Sequence, residues 1–484
     1  MAKDDAKQEL AYALITPYSL HKSRTGSILA RLLWTNVRLV AARMYAPRPG
    51  SELLYEFCDA IYDPNEKHVP LRSQKMLIEY VLENFGRPNT RGISNRMILL
   101  VFSGPNAQAE ISQAVGHLTQ DVRGDDVRGA FGDYVSEQWS TPVLKDARRR
   151  ATESLSSRYQ ALLKIEMPAW RNNFFEPAVL TGVTPEMTGA HLKLFRKYAY
   201  TDGGFVLDAI PGLDPSKLET STVILKPESF RHRNPLPGHL IDFFARTGMY
   251  ITGCKMTHMS VEKASEFYAL KLPQFREQLK GMVARKAKDI VQKARKLAEV
   301  SVRMMAADPE EAFNPRKAVA LVKEAEYMFC DVEDCKPGEL KKPVLEELFS
   351  ILPARLNNLD PDEAVYGELA ELLKDANARA EFNELIRYMS GEDPETGRTL
   401  EEGGETLCMA LLYSGKNGLK VIRKRLKELR EIYGQNVLLN RAHASDPEED
   451  PVREMEILGM PSAPSGESRP CDVEEVVNES YGPP

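Results

Sequence analysis

Eight histidines occur in this 484-residue chain, few enough that a nucleophilic or proton-transferring one can be sought from its neighbours. His443 is the one whose surroundings carry chemistry. It stands in Asn440-Arg441-Ala442-His443-Ala444-Ser445-Asp446, downstream of two arginines in a helical pattern, Arg423 and Arg430. Guanidiniums bind anions in a planar, two-pronged way, so an imidazole near two of them could work on an anionic substrate. The same stretch also reads as an ordinary helix start, because Ser-Asp-Pro is a common capping sequence. No Gly-x-x-x-x-Gly-Lys-Ser/Thr loop is present, so a phosphate cradle of that kind is excluded. Cys330 and Cys335 flank Asp-Val-Glu-Asp without a second Cys or His pair, a poor metal motif.

The elements that must position these residues are legible as a repeat. Residues 11–46 and 222–257 each read as a short apolar strand ending in a Pro turn, a basic loop, a helix and a second strand. In the helices, Ile28, Leu29, Leu32 and Leu33 match Leu240, Ile241, Phe243 and Phe244. Each opening is followed by a further apolar strand with a glycine turn and a helix, near 96–115 and 408–426. This order predicts an α/β sandwich of ferredoxin-like type in two copies, each an antiparallel sheet covered by helices on one face. The second copy is interrupted by a helical stretch from about 275 to 380, in which Phe275, Leu279, Met282, Ile290, Ala294 and Leu297 mark one apolar face. Its basic residues alternate with acids, which reads as a solvated helix face. Residues 461–484 are rich in Pro, Ser and Glu and are expected to be disordered.

Composition narrows the class further. With 64 basic against 70 acidic residues, a net charge of −6 and 43% hydrophobic residues, the chain is an ordinary globular protein with no global field for nucleic acid or anionic membrane. Six scattered cysteines suit a reducing cytoplasm better than a disulfide framework. The opening, MAKDDAKQEL, lacks a basic segment leading into an apolar one, so no secretory signal is expected, and no window reaches the roughly 18 apolar residues of a membrane span.

The His443 segment resembles the N-x-x-H-[GA]-S-D signature of nucleoside diphosphate kinases. Further pieces are similar to that family in the same order: Val223-Ile224-Leu225-Lys226-Pro227, Ser265-Glu266-Phe267-Tyr268, the helix from Phe382 to Gly391, and Tyr413-Ser414-Gly415-Lys416-Asn417. The resemblance implies ping-pong transfer of the γ-phosphoryl group of ATP to nucleoside diphosphates through a phosphohistidine at His443, with Mg²⁺ carried by the nucleotide phosphates. It makes Lys226, Arg423 and Arg430 the phosphate-binding cations, Ser445 a member of the catalytic group, and Tyr268 a neighbour of phosphates and histidine. Asn440 would contact the sugar region and Phe382 would stack on the base. The carboxylate orienting His443 falls on Glu456 if two residues are inserted after Asp446, keeping a Glu-Ile pair, or on Glu454 without a gap; Glu456 is preferred.

The chain departs from the family in three places. Pro273-Gln274-Phe275 competes with Phe382 for the stacking residue. Arg423 and Arg430 lie close together where the family has a longer loop that also makes subunit contacts, so a different homo-oligomer, if any, is expected. The first copy has Thr16 before Pro17 where lysine belongs, supplies Arg128, and has no histidine where one is needed. The expected organisation is therefore a degenerate module over 1–155, a connecting segment over 156–220, a catalytic module over 221–275 and 380–460, a helical insertion over 276–379 and a tail over 461–484, with the two modules pairing within one chain. The alternative is a nucleotide-binding or scaffold protein of weak or no activity.

Overall fold

A computed structural model describes residues 8–47, 51–86 (except 64, 66 and 68), 95–118, 124–135, 174–205, 214–277 (except 231), 363–392, 407–434, 440–446, 451–460 and 472–483. Most of the expected insertion, 278–362, lies outside the described residues. Contacts divide the chain into one compact unit of Met1–Met259 with Gly404–Pro484 and a second of Ser260–Gly403.

Near-continuous apolar segments in the first unit form one antiparallel eight-stranded sheet. Its strands are β1 (Glu9–Ile15), β2 (Arg38–Tyr45), β3 (Met97–Gly104), β6 (Val179–Leu180), β7 (Glu219–Leu225), β8 (Tyr250–His258), β9 (Leu407–Gly415) and β10 (Ala442–Ala444). A separate hairpin pairs β4 (Asp133–Val135) with β5 (Phe174–Glu176). The order across the large sheet is β10-β7-β9-β8-β2-β3-β1-β6, so each half supplies four strands in mirrored sequence. The halves meet at β2 and β8 through a single registered pair, Arg43 and Lys255.

Helices follow strands in the same way in both halves. The first half carries α1 (Pro17–His21), α2 (Thr25–Leu32), α3 (Glu52–Ile61), α4 (Leu71–Asn84), α5 (Ala107–Val115), α6 (Val127–Phe131) and α7 (Pro185–Lys197). The second half has α8 (Leu236–Ala245); α9 (Val261–Phe267) and α10 (Glu363–Ser390) belong to the second unit; α11 (Gly418–Tyr433), α12 (Pro451–Ile457) and α13 (Asp472–Tyr481) follow. Helices α2 and α8 cross where two glycines allow backbone contact: a Cβ on Gly26 would lie 2.4 Å from the Gly238 carbonyl oxygen. One sheet face is buried under α2, α5, α8 and α11 through Ile28, Ile111, Leu240, Phe244, Ile422 and Leu426.

Three expectations are corrected. The first half is covered on both faces: Tyr12 and Leu14 point away from α2 and are buried by Phe57 of α3, Val81 of α4, Phe195 of α7 and Val477 of α13. The segment 156–220 is not merely a connection, because β6 pairs with β1 and α7 packs beside it, completing the first half. The tail is not all without structure. Its α13 buries Val473 and Val477, each worth roughly 1.5–3 kcal/mol of transfer free energy, and these sparse apolar positions are diluted in a composition otherwise rich in Pro, Ser and Glu. Among the described residues no helix is long and apolar enough to cross a membrane.

Candidate active site

His443 sits in the middle of β10, opposite Ile224 of β7, on the face of the sheet away from Ala442 and Ala444, which join the core under α11. The strand is launched by a three-residue turn: Ala442 N–H donates to Asn440 O at 2.8 Å, with Arg441 held at φ +67° between them. Two bonds fix the backbone of this strained residue. Its N–H donates to Glu228 Oε1 at 2.9 Å, and its carbonyl accepts from Lys226 N at 3.0 Å.

His443 is 3% exposed, and its imidazole lies 3.0 Å, Nε2 to Oε1, from the carboxylate of Glu454 on α12. A carboxylate facing a ring nitrogen is an acceptor, so Nε2 carries a proton, and in the neutral ring the lone pair is on Nδ1. The other oxygen of Glu454 accepts from Ser445 Oγ–H. That hydroxyl is aimed there because Ser445 Oγ already accepts from Thr222 N–H at 2.9 Å, while Ser445 N–H donates to Thr222 O. Glu454 thus corrects the sequence assignment. Glu456 lies on the solvent side of α12, whereas Glu454 and Ile457, one helical turn apart, face inward. The i, i+3 spacing of Glu454 and Ile457 was the signal that the Glu-Ile pairing obscured.

Cations surround this group. Arg423 and Arg430 lie seven residues apart on α11, hence on the same face. Arg430 donates from Nη2 to Ala442 O at 3.2 Å, and Arg423 from Nη1 to Ala444 O at 3.1 Å, bracketing the histidine along the strand. Arg423 also pairs with Asp446 at 2.6 Å. Lys226, just after β7, is 3% exposed, and burial pulls its ammonium down to about 8, with Arg430 adding repulsion and Glu228 partly opposing it.

The structure therefore brings together His443, Ser445, Lys226, Asn440, Arg423 and Arg430, and adds Glu454, Glu228 and Thr222, which the sequence did not single out as a group. Tyr268 and Phe382 belong to the second unit. There Tyr268 is buried at the end of α9, edge-on to Phe267, and Phe382 lies half-buried on α10, which packs against α9. Among the described residues no cluster of three or more His, Cys, Asp or Glu side chains could hold a metal ion.

The first half repeats this backbone without its chemistry. Val179 N–H donates to Pro177 O, Ala178 stands at φ +61°, and Thr16 N–H donates to Ala178 O. Arg128 Nη2 donates to Val179 O at 3.2 Å, the counterpart of Arg430 on Ala442. By this register Leu180 occupies the place of His443. No family model matches the chain, and no curated protein matches it.

Proposed function

We propose that the second half is a nucleoside diphosphate kinase in which His443 carries the phosphoryl group. The observation that carries this reading is a buried histidine whose Nε2 is engaged by Glu454, flanked by Lys226, Arg423 and Arg430. The strand order in each half, with the first and third strands central, supports reading both halves as ferredoxin-like modules. Sparse cysteines, of which Cys58, Cys254 and Cys408 are buried, agree with a cytoplasmic setting.

In the proposed reaction the Nδ1 lone pair attacks the γ-phosphorus of ATP, a P–N bond forms as the bond to the β,γ-bridging oxygen breaks, and ADP leaves. Glu454 keeps its hydrogen bond to Nε2–H throughout and stabilises the positive charge growing on the ring. Ser445, held by the Thr222 backbone, keeps Glu454 in place. Lys226 and the two arginines oppose the charge on the phosphoryl oxygens. Mg²⁺ carried on the nucleotide phosphates would supply further neutralisation of their charge. Attack by the diphosphate of an acceptor nucleotide reverses the step and restores the ring. Tyr268 and Phe382 belong to the other compact unit, and the proposal rests on neither.

The test is incubation of the full chain with γ-labelled ATP and Mg²⁺. An acid-labile, base-stable phosphoenzyme that passes label to GDP or CDP is expected, and His443→Ala abolishes it while leaving the melting transition in place. Well-folded protein that takes up no label overturns the reading.

A further inference from the structure

The helix that carries Glu454 is short. Helix α12 has seven residues, too few to be stable on intrinsic propensity, so its placement depends on what holds its ends. Its C-terminus closes in a turn with Gly459 at φ +63°, Met460 N–H donating to Met455 O and Gly459 N–H to Glu456 O. Over this turn stands Lys255, whose ammonium donates to Leu458 O at 3.2 Å. A cation at a helix C-terminus is favoured by the exposed carbonyls there. Leu458 N–H in turn donates to Glu454 O, so the carbonyl that Lys255 holds is one helical turn from the carboxylate on His443.

Lys255 comes from the seam between the halves. It is registered opposite Arg43 in the one β2–β8 pair, where two like charges face each other across a ladder and would repel. Asp472, the first residue of α13, lies between them. Its Oδ2 accepts from Ala42 N–H of one half and Met256 N–H of the other, both at 2.9 Å. Burial pushes this carboxyl upward, and the nearby Arg43 and Lys255 oppose the shift.

The two halves treat their cations alike. Arg43 donates from Nε and Nη2 to Ala199 O, just past the end of α7, as Lys255 donates to Leu458 O past the end of α12. In each half the cation on the seam strand reaches the end of the helix that follows the histidine-position strand.

Building on the kinase reading, we propose that Lys255 is a positioning residue for the His443–Glu454 pair, and that Asp472 of the C-terminal helix holds Lys255's strand at the seam so that module pairing supports the site. Displacing α12 by a fraction of an ångström alters the hydrogen bond that fixes the ring tautomer, and misplacements of that scale carry large rate effects.

The test uses the full chain with ¹⁵N-labelled histidine, in which His443 is assigned by the resonance that His443→Gln removes. Wild-type ring shifts should report the Nε2–H tautomer. Lys255→Met should move them toward a mixture of tautomers and slow phosphoenzyme formation roughly ten- to hundredfold with little change in KM for ATP. Lys255→Arg should restore both, and Asp472→Asn should give a smaller change in the same direction. A thermal melt accompanies each variant. Should Lys255→Met not fold, Asp472→Asn and Lys255→Gln carry the comparison, and wild-type ring shifts in any folded variant lacking the cation overturn the proposal. If wild-type protein is never phosphorylated yet its tautomer still follows Lys255, the kinase reading fails and the positioning role stands. If phosphorylation proceeds and both readouts ignore Lys255, the positioning role alone fails.

Discussion

Around the histidine position the two halves of the sheet share a turn and a strand register and differ in four side chains. Thr16 stands for Lys226, Leu180 for His443, Gly182 for Ser445 and Thr188 for Glu454, each placed by strand register or by its distance from the first residue of the following helix. The strained turns at Ala178 and Arg441 are retained in both, as are the arginine bonds to the following carbonyls. A positive φ on a non-glycine residue is often a sign of a functional site. Here it persists in the copy whose last strand carries Leu180 in place of the histidine, so it serves the entry of an edge strand and is not by itself a mark of catalysis. The first half has put its other face to structural use. Tyr12 donates or accepts with His191 Nδ1 at 2.7 Å inside an aromatic cluster with Phe57 and Phe195, and burial holds His191 down to about 4, a neutral core residue.

The comparison is broken most directly at Glu454. Replacing it by Ala leaves His443 Nε2 and Ser445 Oγ without their acceptor, at a cost of about 1–3 kcal/mol, and should slow phosphoenzyme formation by on the order of 10²-fold or more. Thr188→Ala in the first half, which removes only a bond to Gln108, should leave that rate unchanged. Equal losses in the two variants, measured by single-turnover labelling, would erase the distinction between the halves.

A second effect, up to about tenfold per pH unit, should come from Lys226. Its ammonium is pulled down to about 8 by burial, so its charge is lost as pH rises through that value and kcat/KM for ATP should fall on the alkaline side. The sign for stability is opposite. The folded value lies below the unfolded one of about 10.5, so between them the unfolded chain binds more protons and this group's contribution to stability rises with pH. Falling activity alongside an unchanged or higher melting temperature separates titration from unfolding, and Lys226→Met should remove the alkaline limb along with most of the activity.

Gly182 tests whether the first half could accept even one missing group. A Cβ there would fall 2.2 Å from Thr188 Oγ1 and 3.1 Å from the Thr188 backbone, so Gly182→Ser should destabilise by about 1–3 kcal/mol. Combining it with Thr188→Ala should recover part of that loss in a double-mutant melt. Phosphorylation at His443 should not respond to either.

Much of this arrangement was legible in the chain because it rests on local pattern. Apolar strands followed by Pro or Gly turns and helices at 3–4 spacing gave both copies, and the segment around His443 gave the histidine, Ser445 and both arginines. What escaped depended on contacts distant in sequence. Asp472 lies 430 residues from Ala42, and a lone aspartate opening a short amphipathic segment carries no sign of the seam it bridges. The first copy's last strand was hidden by its two-residue length and by the long interval separating it from α6. Glu454 was named as the alternative but ranked second for a different reason, since the choice between two nearby glutamates followed a neighbour identity when helical phase decides which one faces the strand.

The smallest expected effect is the sharpest test of what a histidine alone can do. Leu180→His puts an imidazole at the register position of His443, on a retained strained turn and beside the retained Arg128. It should gain no phosphoenzyme. Its helix offers Thr188 in place of the carboxylate, so nothing fixes the tautomer, and Thr16 brings no charge where Lys226 stands. Worse for an anion, Glu176 is buried beside Thr16: its carboxylate accepts from Thr16 Oγ1 at 2.8 Å, from Ala178 N–H at 3.0 Å and from Tyr80 OH. In the second half the same turn N–H is satisfied by Glu228, which reaches it from beyond Lys226. The first half therefore sets a buried carboxylate at this turn and brings no lysine to it, so a phosphate would find less positive charge there than beside Lys226. Labelling of Leu180→His in a His443→Ala background reads the first half alone. A labelled protein there would mean that the turn and Arg128 suffice, and the contrast between the halves would reduce to a single residue.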